Sequence, residues 1–289
     1  MRLFKSSVVL LGMTVLSACA GDVESDAGAL DERGDEQVAE SAQAVTDVMY
    51  SWWTGDFTKG YELQLGSSAN MTCFLVGVKG SLRGWSTWAS TSYKSASAGV
   101  YDVDGTWRVR TEPGYGGGVA AKVGCIMTAA NRVKFSASFW PAPSGGSVPA
   151  TAGRQCFISA ISGFGHGWTA FQDVQPNDPP GVGLVSDGIN WRFASSLIEN
   201  VDGAKSGTAS AVCVDLPTAP PKTFSVDGPD SRILSLSNPD QYACGLQAIA
   251  GVFVDSLSDT PGIELFKAGS QDWHAGVADH YQATVRCAR

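Results

Sequence analysis

Cys156-Phe157-Ile158-Ser159-Ala160-Ile161-Ser162-Gly163 decides how this chain is built, because its pattern occurs three times. Cys73-Phe74-Leu75-Val76-Gly77-Val78-Lys79-Gly80 precedes it, and Cys244-Gly245-Leu246-Gln247-Ala248-Ile249-Ala250-Gly251 follows. The shared pattern is Cys, x, Leu or Ile, x, Gly or Ala, Val or Ile, x, Gly. The copies start 83 and 88 residues apart, and repetition on that scale has to be settled before any element is assigned.

Other features recur around the motif. Leu63 and Leu65 stand before the first copy and Leu234 and Leu236 before the third, while the second keeps only Val148. Earlier still come Trp53 and Phe57, Phe135 and Phe139, and Phe224. Gly99-Val100, Gly181-Val182 and Gly262-Ile263 follow the motif, and then Trp107, Trp191 and Trp273. Each unit closes on a second cysteine: Cys125, Cys213 or Cys287. The closing stretches alternate. Ala121, Val123 and Cys125 are separated by Lys122 and Gly124, and Ala283, Val285 and Cys287 by Thr284 and Arg286. Ala209, Ala211 and Cys213 do the same. Period two with small apolar residues on one face predicts a half-buried strand whose cysteine points inward.

The chain has seven cysteines, of which Cys19 belongs to a separate N-terminal motif. Counting alone lets the other six pair in about fifteen ways. The repeat selects one of them: Cys73–Cys125, Cys156–Cys213 and Cys244–Cys287. In the chain-entropy model, loops of such length are each worth about 4 kcal/mol of stability. Gly is abundant at 34 and charged residues make up only 17%, a mix that suits short strands and tight turns. Pro141 to Gly153 and Pro217 to Pro221 read as loops, and no stretch of the body keeps helical periodicity. The expected fold is all-β: three tandem, disulfide-closed antiparallel repeats over residues 49–125, 126–213 and 214–289. Each has five or six strands. Three separate sandwiches and one pseudo-threefold assembly both satisfy the pattern.

The first 48 residues differ in kind. Arg2 and Lys5 precede an apolar run from Val8 to Leu16, too short for the ~20 residues that span a bilayer. Leu16-Ser17-Ala18-Cys19 then resembles the lipobox of bacterial lipoproteins: an aliphatic residue, two small ones, and the cysteine that receives a diacylglycerol. The resemblance implies a signal peptide over residues 1–18 and a mature chain starting at acylated Cys19. It also implies a firm anchor in a lipid bilayer, since a single acyl chain binds only marginally and several bind tightly. Ala20 rather than Asp after the cysteine implies the outer membrane or cell surface. An ordinary secretory signal is the alternative. Residues 19–48 are small, polar and acidic, with eight acids and one base between Gly21 and Glu40. Such a composition cannot offset its ordering entropy and predicts a disordered tether. The net charge of -8 and the lack of a basic run exclude nucleic acid as a partner.

Catalytic patterns are sparse. The histidines His166, His274 and His280 fall at different places in the repeat without a repeated acidic neighbour, and no Gly-x-Ser-x-Gly elbow appears. No cofactor or metal is implied. Asp102-Val103-Asp104-Gly105-Thr106 has the start of a calcium loop but lacks its later acids, and reads better as an Asp-Gly turn. Trp107, Trp191 and Trp273 are at equivalent positions and read as core. Trp85 and Trp168 each lie twelve residues past their opening cysteine, where the third repeat has Ser256. A position lost from one repeat is less tied to the fold. These two indoles, with His166 and nearby Thr87, Thr169 and Asp173, are candidates for stacking on a sugar ring. The expectation is a membrane-anchored, non-catalytic binding protein for a glycan or a surface partner. A hydrolase with its site between repeats and a purely structural envelope protein are the alternatives.

Overall fold

The structure, a computed structural model, describes residues 52–54, 61–82, 96–113, 118–139, 144–163, 181–195, 207–216, 220–228, 230–236, 241–251, 253, 262–268, 272–278 and 281–289. The fold is all-β, with no α-helix among the described residues. The first repeat supplies β1 (Trp52–Thr54), β2 (Tyr61–Ser67), β3 (Thr72–Gly80), β4 (Ala96–Val103), β5 (Thr106–Glu112) and β6 (Val119–Ile126). The second supplies β7 (Val133–Ser138), β8 (Ser144–Gly145), β9 (Val148–Pro149), β10 (Arg154–Gly163), β11 (Gly181–Ser186), β12 (Asn190–Ser195) and β13 (Gly207–Asp215). The third supplies β14 (Lys222–Asp227), β15 (Asp230–Leu234), β16 (Ala243–Gly251), β17 (Ile263–Ala268), β18 (Asp272–Val277) and β19 (Tyr281–Ala288).

The three opening cysteines face their closing partners directly across antiparallel pairs: β3 with β6, β10 with β13, and β16 with β19. The disulfides are Cys73–Cys125, Cys156–Cys213 and Cys244–Cys287, the set that the repeat selects. Three such bonds fit an oxidising compartment outside the cytoplasm. Each pair also carries a bulge at one place, after Leu75, Ile158 and Leu246. The bulge explains an odd feature of the motif. Its apolar residues are three apart (Leu75 and Val78, Ile158 and Ile161, Leu246 and Ile249), whereas a regular strand keeps one face at spacing two. One extra residue brings both onto the face that the closing cysteine shares.

Sheet pairing decides between separate sandwiches and a single assembly. Each repeat divides its strands between two sheets, and each sheet joins two repeats. The first sheet runs β1-β6-β3-β17-β18-β15, the second β2-β5-β4-β10-β13-β7-β8, and the third β14-β19-β16-β11-β12-β9. The cyclic joints are β3 to β17, β10 to β4, and β16 to β11. Within a repeat the two halves face each other: β4 and β5 contact β6, and β17 and β18 contact β19. Residues 42–289 are one compact unit, with one core cluster drawn from all three repeats. The joints also correct the alignment of the strand after the motif. Ala98, rather than Val100, is the counterpart of Val182 and Ile263, because it pairs with Ile161 as they pair with Ile249 and Val78. The shift is one strand period, so the same face stays inward.

Trp107, Trp191 and Trp273 are core residues, exposed by 1%, 4% and 1%. The Trp107 indole N–H donates to the Met71 carbonyl at 2.7 Å, which satisfies its one polar atom. Strands β3, β10 and β16 contact one another. Where they meet, Phe74 stacks on Phe157 with ring centroids 4.4 Å apart. The third repeat has Gly245 at this place. A Cβ there would lie 2.6 Å from Phe157 and 2.7 Å from Phe74, so two rings fill the space that threefold symmetry would assign to three.

Candidate functional site

The polar residues that sequence reading singled out fall into two groups. Cys19, Trp85, Trp168, His166 and His280 lie outside the described residues, as do Thr87, Thr169 and Asp173. The strands that lead toward the two indoles are described. β3 ends at Gly80 and β10 at Gly163, so the chain leaves toward both from the strand ends remote from the disulfides. His274 sits on β18 and stacks on Phe266 of β17 at 5.0 Å, on the exposed face of the first sheet.

Asp102-Val103-Asp104-Gly105-Thr106 forms a hairpin turn. Val103 pairs with Thr106, and Asp104 and Gly105 have φ of 50° and 75°, the left-handed pair that a two-residue turn requires. Asp102 faces the second repeat. Its Oδ2 lies 3.2 Å from Lys134 Nζ and 3.5 Å from Arg132. Burial pushes its carboxyl pKa up, but hydrogen bonds from Ser68 and Lys134, with the charges of Lys134 and Arg132, outweigh that and hold it below the usual carboxylate range.

The outward faces of the three sheets differ, although their backbones are equivalent. In the first sheet, Lys122 and Glu264 pair at 3.5 Å, and Lys122 also lies 5.9 Å above the Phe266 ring. Desolvation lowers the Lys122 pKa, and the charge of Glu264 only partly offsets it. In the second sheet, the Tyr101 ring covers Gly99, whose added Cβ would come within 2.9 Å of it. The hydroxyls there satisfy one another: Ser162 with Thr208 at 2.7 Å, and Ser136 with Ser210 at 2.8 Å. Glu62 accepts from Arg108 at 2.6 Å and also from Arg110.

Across the third sheet lies a groove of about 420 Å³. Its floor is Gly181, Gly183, Ala248 and Ala250, which leave the backbone uncovered. Around the floor stand Ser225, Asp227, Gln282 and Thr284. Strand register makes these the counterparts of Ser136, Ser138, Thr208 and Ser210. Among the described residues, the side chains of these four make no hydrogen bond to another protein group, although Arg232 donates to the Ser225 carbonyl at 2.9 Å. The sequence signal for this groove was small residues alternating with polar ones in the third repeat. It could be read only once the joint between β16 and β11 was known.

A second cavity, also of about 420 Å³, involves Arg154, Gln155, Trp191, Gln247 and Arg286. Arg154 is paired with Asp215 at 2.9 Å. The Arg286 guanidinium lies 4.8 Å above the Trp191 ring, and its Nε donates to Gln155 Oε1 at 2.7 Å. Desolvation lowers its pKa, yet a guanidinium so placed remains cationic at neutral pH. No group of three or more metal-ligating side chains is found among the described residues.

Fold and surface together define a disulfide-closed all-β body of three repeats with sheets shared between repeats, carrying among its described residues an open sheet groove and a cationic pocket. The chain matches no known protein-family model and no curated protein.

Proposed function

We propose that this chain is an exported, lipid-anchored binding protein, non-catalytic, which takes a glycan in the groove of its third sheet. One observation carries the reading: Ser225, Asp227, Gln282 and Thr284 surround the groove with side-chain groups that make no hydrogen bond among the described residues, while on the second sheet Ser136 bonds to Ser210 and Thr208 to Ser162. Sugar hydroxyls both donate and accept, and hydroxyl, amide and carboxylate groups on a shallow floor match them. The floor of glycine and alanine lets a flat ring approach the sheet. Trp85 and Trp168 would add stacking surface.

The anchor rests on Leu16-Ser17-Ala18-Cys19 and the acidic stretch after it. Three disulfides support an address outside the cytoplasm. No helix among the described residues is long and apolar enough to cross a membrane.

A glycan array probed with the purified full chain tests the binding role. Bound glycans are then titrated against Asp227→Ala/Gln282→Ala and against Trp85→Ala/Trp168→Ala. Loss of binding in the first variant supports the groove, and loss in the second supports the indoles. An array with no bound glycan, or binding that both variants leave intact, rejects the reading. For the anchor, labelling with radioactive palmitate should mark the parent chain and spare Cys19→Ala. Equal label in the two would remove the lipid from the proposal.

A further inference from the structure

We propose that the pocket at Arg286 is a binding site for a small organic carboxylate. Of the three repeats, the third alone has an arginine at this strand position. Arg286 faces Gly245 across β19 and β16, while the matching positions in the other repeats hold Gly124 and Val212. The repeated architecture therefore does not require an arginine here.

Its surroundings hold the guanidinium without neutralising it. The guanidinium carbon lies 4.8 Å over the Trp191 ring, and Gln155 accepts from Nε. Among the described residues, no carboxylate lies within ion-pair distance of Arg286, and neither terminal nitrogen has a protein acceptor. The two other arginines in comparable places are answered. Arg132, 5.4 Å above the Trp107 ring, has Asp102 and the Ser68 and Met71 carbonyls. Arg154, in the same pocket, has Asp215. What remains is one desolvated positive charge, held over an indole, that lines a polar cavity of about 420 Å³. A planar guanidinium edge matches a carboxylate through two parallel N–H···O bonds, and the volume admits a ligand the size of a sugar acid.

The pocket shares no lining residue with the groove, so the two proposals stand or fall separately. The test is calorimetric titration of the purified full chain with glucuronate, with glucose as the neutral control and inorganic phosphate as the second anion. Two variants are compared. Arg286→Gln removes the charge. Ser186→Tyr fills the mouth of the pocket from an exposed position and leaves both Arg286 contacts in place. We expect the parent chain to bind glucuronate, glucose to give no signal, and phosphate to bind more weakly. Affinity for glucuronate should fall about tenfold or more in Arg286→Gln, as for the loss of charged hydrogen bonds. A similar fall is expected in Ser186→Tyr at an unchanged unfolding midpoint. No binding by the parent chain overturns the proposal, as does equal binding of glucose or phosphate, or binding that Ser186→Tyr leaves unaltered. If Arg286→Gln does not fold, Ser186→Tyr decides.

Discussion

Gly245 shows how much one missing side chain can matter. The motif puts Phe74 and Phe157 at its second position, and the two rings stack where the three central strands meet. A methyl on Gly245 would sit within 2.6 Å of one ring and 2.7 Å of the other, both parts of rigid aromatics in a closed core. Gly245→Ala is therefore expected to cost about 1–3 kcal/mol, as overpacking does. Urea unfolding measures it, and a midpoint equal to the parent's would show that the core can shift. Asp102 offers a test in pH. Its folded pKa is depressed, so its stabilisation is complete above the unfolded value of about 3.9 and is lost as pH falls through the folded one. Asp102→Asn should lose on the order of 1 kcal/mol at neutral pH. Its stability should also fall less steeply than the parent's between about pH 5 and pH 2. Parallel curves for the two proteins would mean that Asp102 is not coupled to Arg132 and Lys134.

At the scale of elements, each repeat is held by a cysteine pair facing directly across two antiparallel strands. The bridges close separations of 52, 57 and 43 residues, so the entropic contributions should be nearly equal. Replacing any one pair by alanines is expected to cost about 4 kcal/mol before native strain is counted. Guanidinium unfolding of the three double variants provides the comparison. A pair whose removal costs far less than the others would mark a repeat whose unfolded state stays compact. The bulge is an element that the motif already encodes. Leu75 and Val78 are three apart and both apolar, a spacing that a regular strand does not account for and that an inserted residue does. The tryptophans were readable for the same reason: equal placement in three copies points to a shared interior.

For the whole molecule, the decisive feature is that no sheet belongs to one repeat. Removing residues 214–289 would leave β3 without β17 and β11 without β16. A chain ending at residue 213 is therefore expected to show no cooperative unfolding transition, while the full chain unfolds in one step. Circular dichroism during thermal unfolding tests this, and a truncated chain that melts sharply would mean that two repeats suffice. This exchange of strands was not legible in the sequence. The joints are made by backbone N–H and C=O groups, which every residue carries alike, so the edge that accepts a neighbour leaves no composition signal. The groove and the Arg286 pocket share that origin. Each draws residues from strands that only the joints bring together, such as Gly183 beside Ala248, or Gln155 beside Arg286.

The sequence by itself determined the all-β class, the repeat and the cysteine partners, because alternation, spacing and a single closing strand per unit are local along the chain. Tertiary structure alone decided that the repeats share their sheets, that Gly245 makes room for two rings, and which polar groups stay unanswered. Those outcomes depend on which backbone edge meets which across the molecule, and on how unlike side chains fill nearly equivalent places.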